Sequence, residues 1–272
     1  VALIVELRSG DPTRVAAALR ATRTMSPAVA SQVVSLLAWD QVTGWASRAL
    51  SKAAPSITGQ LIDRLLDPAE DFAIRRRIPR ILATCHTPRA FDGLVAALDD
   101  PRFEVRYQSG RALARIHAQI PAVPLSHAVV YAAVARETRV GKPLWQDQRL
   151  LDEPSENDAN PVIDEALRLR ANRSVEHVFT LLSLVLPREP LQIAFKGLLT
   201  DDSVLRGTSL EYLESVLPGA VWQGMRPLLE DRRTTTTPPR SSAEILEVLM
   251  RSSASIDLKL TPGRPPGPTR QD

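Results

Sequence analysis

The chain has 272 residues, 44% of them apolar, which is enough to bury a sizeable core and excludes a chain disordered throughout. Aromatics are only 4%, and Ala, Leu, Val and Arg dominate, a composition suited to close-packed helices rather than sheets. The 34 basic and 31 acidic side chains leave a formal charge of +3, with the two signs mixed along most of the chain, which argues against a dedicated nucleic-acid binder.

Residues 2–8 read as the end of a helix closed by Ser9-Gly10. Asp11-Pro12 starts the next, with Asp11 as N-cap and Pro12 in the first turn, and Ser26-Pro27 repeats that signal before Val33, Val34 and Leu37. Helices near 41–52 and 56–66 follow. Residues 118–160 break the pattern: Pro121 and Pro124 end one helix, Pro124–Glu137 can start another, and LDEPSENDAN at 151–160 is an acidic loop. Asn160-Pro161 caps an apolar-periodic helix reaching about Leu186, and Pro187 and Pro190 precede the next. A short helix is expected at Trp222–Leu229, and a last one at Ser242–Met250. The tail from Leu260, LTPGRPPGPTRQD, is expected to be disordered or polyproline-like.

One phrase recurs three times: Asp, a turn, an aliphatic residue, Arg, and a Leu seven residues after that Arg. It occurs at Asp67-Pro68 with Ile74-Arg75 and Leu82, at Asp100-Pro101 with Val105-Arg106 and Leu113, and at Asp201-Asp202 with Leu205-Arg206 and Leu213. Before each lies an apolar-periodic helix, exemplified by Leu61, Ile62, Leu65 and Leu66. Arg80 aligns with Arg111, and Pro79 with Gly110, so both second helices are expected to kink at one level. Ser109 and Ser209 occupy one place, where small side chains let helices approach. This predicts an all-α fold, a right-handed α-solenoid of helical pairs, with a partly disordered Pro-rich tail. The expected divisions are a solenoid at 1–230, a Thr/Pro linker at 231–241, a terminal helix at 242–258 and the tail at 259–272.

The residues that look chemical each have a structural reading. Asp67, Asp100 and Asp201 read as caps that accept backbone N–H bonds at helix starts, because a catalytic group need not recur in every unit. Arg75, Arg106 and Arg206 read as a ladder of Asp–Arg pairs that fixes stacking. Arg75, Arg76, Arg77 and Arg80, continued by Arg106, Arg111 and Arg115, are denser than a ladder needs. Either they form a solvated face paired with Asp71 and Glu104, or they converge on a concave face as a basic groove for an acidic peptide, lipid headgroups or phosphates. Arg75, Arg76, Arg106 and Arg111 are the set weighed for a nucleotide or phosphate sensor. Trp39-Asp40 and Trp45 evoke a DNA glycosylase of the HEAT-like type, but no dense Lys/Arg run surrounds them, and burial is the plainer expectation.

No catalytic, metal or cofactor set is legible. The histidines His86, His117, His127 and His177 lack zinc-hydrolase spacing, and His177 between Val175 and Phe179 reads as packed. No phosphate loop or nucleophile elbow occurs. Cys85 is the single cysteine, so no internal disulfide forms, a reducing compartment fits, and Cys85-His86 alone makes no zinc site. No stretch approaches the ~18 apolar residues of a membrane span, and no signal-peptide pattern occurs. The start at Val1 reads as a domain of a longer protein.

FEVRYQSGRALARI at Phe103–Ile116, preceded by LDDPR, is similar to HEAT repeats. RRRIPRILA at Arg75–Ala83, VEHVFTLLSLVLPREPLQIAFKGLLTDD at Val175–Asp202, LRGTSLEYLESVLP at Leu205–Pro218 and the closing RSSASIDL resemble a bacterial family. In it a HEAT-repeat region follows a membrane domain of the nucleotide (ADP/ATP) carrier or major-facilitator type. The resemblance implies a cytosolic, non-catalytic scaffold at the inner membrane, whose partner is its own membrane domain or another protein. It carries over no transport residue and no ligand. The alternative is a HEAT-like nucleic-acid-binding protein or DNA glycosylase with a basic groove.

Overall fold

The computed structural model describes residues 2–22, 24–120, 125–151, 173–200, 202–229 and 242–251, all of whose regular structure is helical. The helices group into two compact units, Val1–Ser126 and His127–Asp272. Asp201, the linker at 231–241, the helix start at Asn160-Pro161, the residues after Arg251 and most of the acidic stretch at 151–160 lie outside the described residues.

The first unit opens with α1 (Ala2–Leu7), α2 (Pro12–Ala21) and α3 (Pro27–Ser35). The capping signals act as read: Asp11 accepts from the amides of Thr13 and Arg14, Ser26 accepts from Val29, and a proline opens each helix. Gly10 has φ 72°, a backbone that turns the chain between α1 and α2 and that a residue with a Cβ adopts only at a cost.

The two helices expected at 41–52 and 56–66 are one helix, α4 (Thr43–Leu66), with Pro55 inside it. Proline removes one N–H, the one that would bond Ser51 carbonyl four residues back. The Thr84 hydroxyl, which donates to Ile81 carbonyl at 2.8 Å, also lies 3.4 Å from the Ser51 carbonyl. The halves of α4 still have the separate duties that two helices would have. The C-terminal half lies between α3 and α7 (Pro88–Ala96): Gln60 bonds Pro27 carbonyl, Arg64 bonds Ser35, and Gly93 packs on Ile62. The N-terminal half packs with α2 and with α6 (Ile78–Leu82). The unit therefore has two layers, α1, α3, late α4 and α7 on one side, and α2, early α4, α6 and α8 (Phe103–Gln119) on the other.

Pro79 and Gly110 are not equivalent in effect. The helix that Pro79 enters is broken into α5 (Phe72–Arg75) and α6, because Pro79 has no N–H for Arg75 carbonyl. Gly110 keeps its N–H, and α8 runs unbroken through it. The recurring apolar positions meet the expectation: Leu82, Leu113 and Leu213 are each 0% exposed.

In the second unit α9 (His127–Leu151) is longer than the helix expected from Pro124 to Glu137. A helix at 173–182, α10, ends before Leu186 in turns that bond back to Leu181 and Leu182. α11 (Arg188–Leu198), α12 (Ser203–Val216), α13 (Gly219–Leu229) and α14 (Ser242–Arg251) follow. α14 packs on α11 and α12, and α13 on α9. A Cβ at Gly197 would collide with the Ser209 hydroxyl, so α11 and α12 approach at the small residues as the repeat implied. No helix among the described residues is long and apolar enough to cross a membrane.

Leu113→Ala is expected to lower the unfolding free energy by about 2–5 kcal/mol, the usual cost of deleting a fully buried leucine. An unchanged urea midpoint would show that this face of α8 is not the core.

Candidate functional site

Each repeat arginine ends up at a joint between helices rather than at a surface. Arg75 is 3% exposed; its Nε donates to Leu65 carbonyl at the end of α4 (2.9 Å), and its guanidinium pairs with the buried Asp100 carboxylate. Arg206 does the same work on a different acceptor. One nitrogen donates to Leu198 carbonyl at the end of α11 (3.0 Å) and another to Leu229 carbonyl at the end of α13 (3.1 Å). Arg106, also buried, donates to the carbonyls of Asp100 and Pro101. Arg75 and Arg206 thus reach helix C-termini, Arg106 reaches the Asp100-Pro101 turn, and Arg75–Asp100 forms an Asp–Arg rung. The last carbonyls of a helix have no partner within it and carry partial negative charge, which a guanidinium suits.

Asp67 and Asp100 do not cap the second helices directly. Asp67 accepts from Ala69 amide and Asp100 from Arg102 amide, each closing a turn two residues on. Asp71 caps α5, and Asp202 caps α12 through the amides of Val204 and Leu205.

Arg75 and Arg106 are therefore withdrawn from any ligand, which removes both from the expected cluster and from the weighed phosphate-sensor set. Arg111 is exposed beside Tyr107; it shares a face of α8 with Gln108 and Arg115 but does not itself line the groove described next. The remaining members converge. A concave groove of about 930 Å³ is lined from four helices of the first unit in succession. α2 contributes Arg20, early α4 contributes Arg48 and Lys52, the α5–α6 joint contributes Arg76, Arg77 and Arg80, and α8 contributes Arg115. Glu104 is the single carboxylate among the lining residues, and it accepts from Gln108 Nε2 at 2.8 Å. The expected pairing with Asp71 does not neutralise this face, because Asp71 caps α5 and is not among the lining residues.

Arg77 is already bonded, to Leu37 carbonyl and to Asp40 at 2.5 Å. Arg20, Arg48, Lys52, Arg80 and Arg115 have no ion-pair partner among the described residues. Sequence reasoning missed Arg20, Arg48 and Lys52 because they sit far from the arginine run in the chain. It also placed Trp45 in the core. Trp45 is half-buried in the groove wall, with the guanidiniums of Arg20 and Arg48 each 5.1 Å from its ring centroid. Such cation–π contacts hold two long side chains in place at the edge of the groove. Trp39 is half-buried as well, and Asp40 lies outside the groove lining.

Two of the other reactive groups, Cys85 and His177, are enclosed. Cys85 is buried; burial pushes its thiol pKa up, against hydrogen bonds from Thr58 and Thr84 that lower it. His177 is packed as expected, with Nε2 3.7 Å from the buried Glu137 carboxylate, a neighbour 40 residues away that no local pattern signals. His86 bonds Gln119, and His127 stands edge-on to Tyr131. Among the described residues no group of His, Cys, Asp or Glu could hold a metal ion. No protein-family model matches the chain, and neither do curated proteins or solved structures.

Asp100→Ala leaves a buried guanidinium without its counter-charge and is expected to cost about 3–5 kcal/mol. Asp67→Ala, at an exposed turn, is expected to cost no more than about 1 kcal/mol. Equal losses in urea unfolding would remove the special role of the Arg75–Asp100 pair. Cys85, protonated and enclosed at neutral pH, is expected to react with a disulfide reagent such as DTNB only on unfolding. A full burst from the folded protein would contradict its burial.

Proposed function

We propose that this chain is a non-catalytic helical-repeat interaction domain that docks an anionic partner in the groove of its first unit. In this reading the two-layered unit is a stretch of right-handed α-solenoid built of HEAT-like pairs, and the groove is its concave face. The observation that carries the reading is the charge of that groove, six cations against one carboxylate once Arg77, paired with Asp40, is set aside. Like charges gathered on one wall repel one another, and an anion that docks there relieves that repulsion. Arginine prevails over lysine in the set, which suits bidentate contact with carboxylate or phosphate oxygens.

The phrases quoted above support a finer reading, that the chain belongs to a bacterial membrane protein of the nucleotide-carrier or major-facilitator type and works on the cytoplasmic face. Its own membrane domain or a cytosolic protein would then be the partner. Carbonate-washed membrane fractionation of the native protein tests this: retention in the pellet, at a mass well above 29.9 kDa, supports it, and recovery in the soluble fraction near that mass removes it.

The same cations favour a second reading, docking of a nucleic acid. Its glycosylase form is weaker, because Asp40, the acid beside Trp39, is held by Arg77 outside the groove.

Arg48→Glu with Arg80→Glu reverses two exposed charges on adjacent helices of the groove. An acidic polypeptide such as polyglutamate is expected to bind the unaltered chain in fluorescence anisotropy and to lose affinity steeply between about 50 and 200 mM salt. The double variant is expected to lose binding while keeping its thermal midpoint. Binding by neither polyglutamate nor an oligonucleotide at low salt would end the reading.

A further inference from the structure

We infer that the groove receives an extended acidic protein segment in the polyproline II conformation, laid across α2, early α4, α6 and α8, with an acidic side chain at every third residue. This rests on the reading that the groove docks an anion and names the form that the anion takes.

The first argument is spacing. The groove cations stand on four helices that pack in succession, α2 on α4, α4 on α6 and α6 on α8. Neighbouring packed helices lie about 8–10 Å apart. One turn of polyproline II is three residues at about 3.1 Å each, or roughly 9.3 Å. An acid at every third residue thus lies on one edge of the segment and meets one helix after another. A β-strand repeats its side chains every roughly 6.6–6.8 Å on one face and drifts out of step with the helices.

The second argument concerns what else lines the wall. Ser47, Ser51 and Gln108 stand among the cations. A polyproline II backbone has no internal hydrogen bonds, so its carbonyls need such donors. Trp45 decides against a single-stranded nucleic acid. A base stacks on an open aromatic face, whereas two guanidiniums already stand over this ring.

The test compares fluorescein-labelled peptides of equal composition with the full chain. One repeats Glu-Pro-Pro triplets; the other gathers the same glutamates at every second position and ends in the spare prolines. A third carries phosphoserine in place of glutamate in the triplets. The triplet peptide is expected to bind at least about tenfold tighter than its rearranged twin, since charges in register act together. Arg48→Glu and Arg80→Glu are expected each to abolish that preference, and Arg188→Glu, exposed on α11 of the second unit and absent from the groove lining, to leave it intact. Tighter binding of the phosphoserine peptide would support the same segment with phosphate as the source of charge.

Equal binding of the two glutamate peptides, lost in the groove variants, overturns the inference while the docking reading stands. An oligothymidylate that binds tighter than the triplet peptide and displaces it overturns the inference in favour of nucleic acid. Binding by no peptide and no oligonucleotide overturns both.

Discussion

The buried guanidinium of Arg75 is the contact on which the first unit depends. It closes the C-terminal end of α4 through Leu65 carbonyl and, in the same side chain, holds the Asp100 carboxylate in the turn between α7 and α8. Two buried charges stabilise a fold only when each is fully satisfied, since their desolvation otherwise exceeds their attraction. Here Asp100 also accepts from Arg102 amide, and Arg75 also donates to Leu65 carbonyl, so both charges keep a second partner. The pair fixes how far one helical pair can slide on the next.

Arg206 repeats the device in the second unit with backbone carbonyls in place of a carboxylate. That substitution explains why the sequence phrase tolerates change around its aspartates but keeps the arginine: the guanidinium recognises a helix end, which every helix has. It also explains why counting aspartates overstated the ladder.

The same joints produce the groove. Arg75 is turned inward at the end of α5, and the break that Pro79 imposes two residues beyond Arg76-Arg77 lets those side chains leave the helical path. Arg77 then ties the joint back to Leu37 and Asp40, while Arg76 and Arg80 face the same hollow as Arg48 and Lys52 from α4. Helical neighbours along one element and packed neighbours across elements thereby form a lattice of cations with few acids among them.

Much of this was readable from the chain. Asp11-Pro12 and Ser26-Pro27 announced their helices because a cap and a proline act within one turn. Leu82, Leu113 and Leu213 announced the core because burial follows helical period. The continuity of α4 through Pro55 was not readable, since the helices that pack along it, α2, α3, α6 and α7, come from elsewhere in the chain. Nor was the turning of Arg75 and Arg106 into the interior, although they share a motif with exposed neighbours, or the partnership of Trp45 with Arg20 and Arg48. Local signals act through the backbone over three or four residues and are therefore written in sequence. Which of several arginines is buried, and which reach one groove, depends on the distances between helices, and only their packing sets those distances.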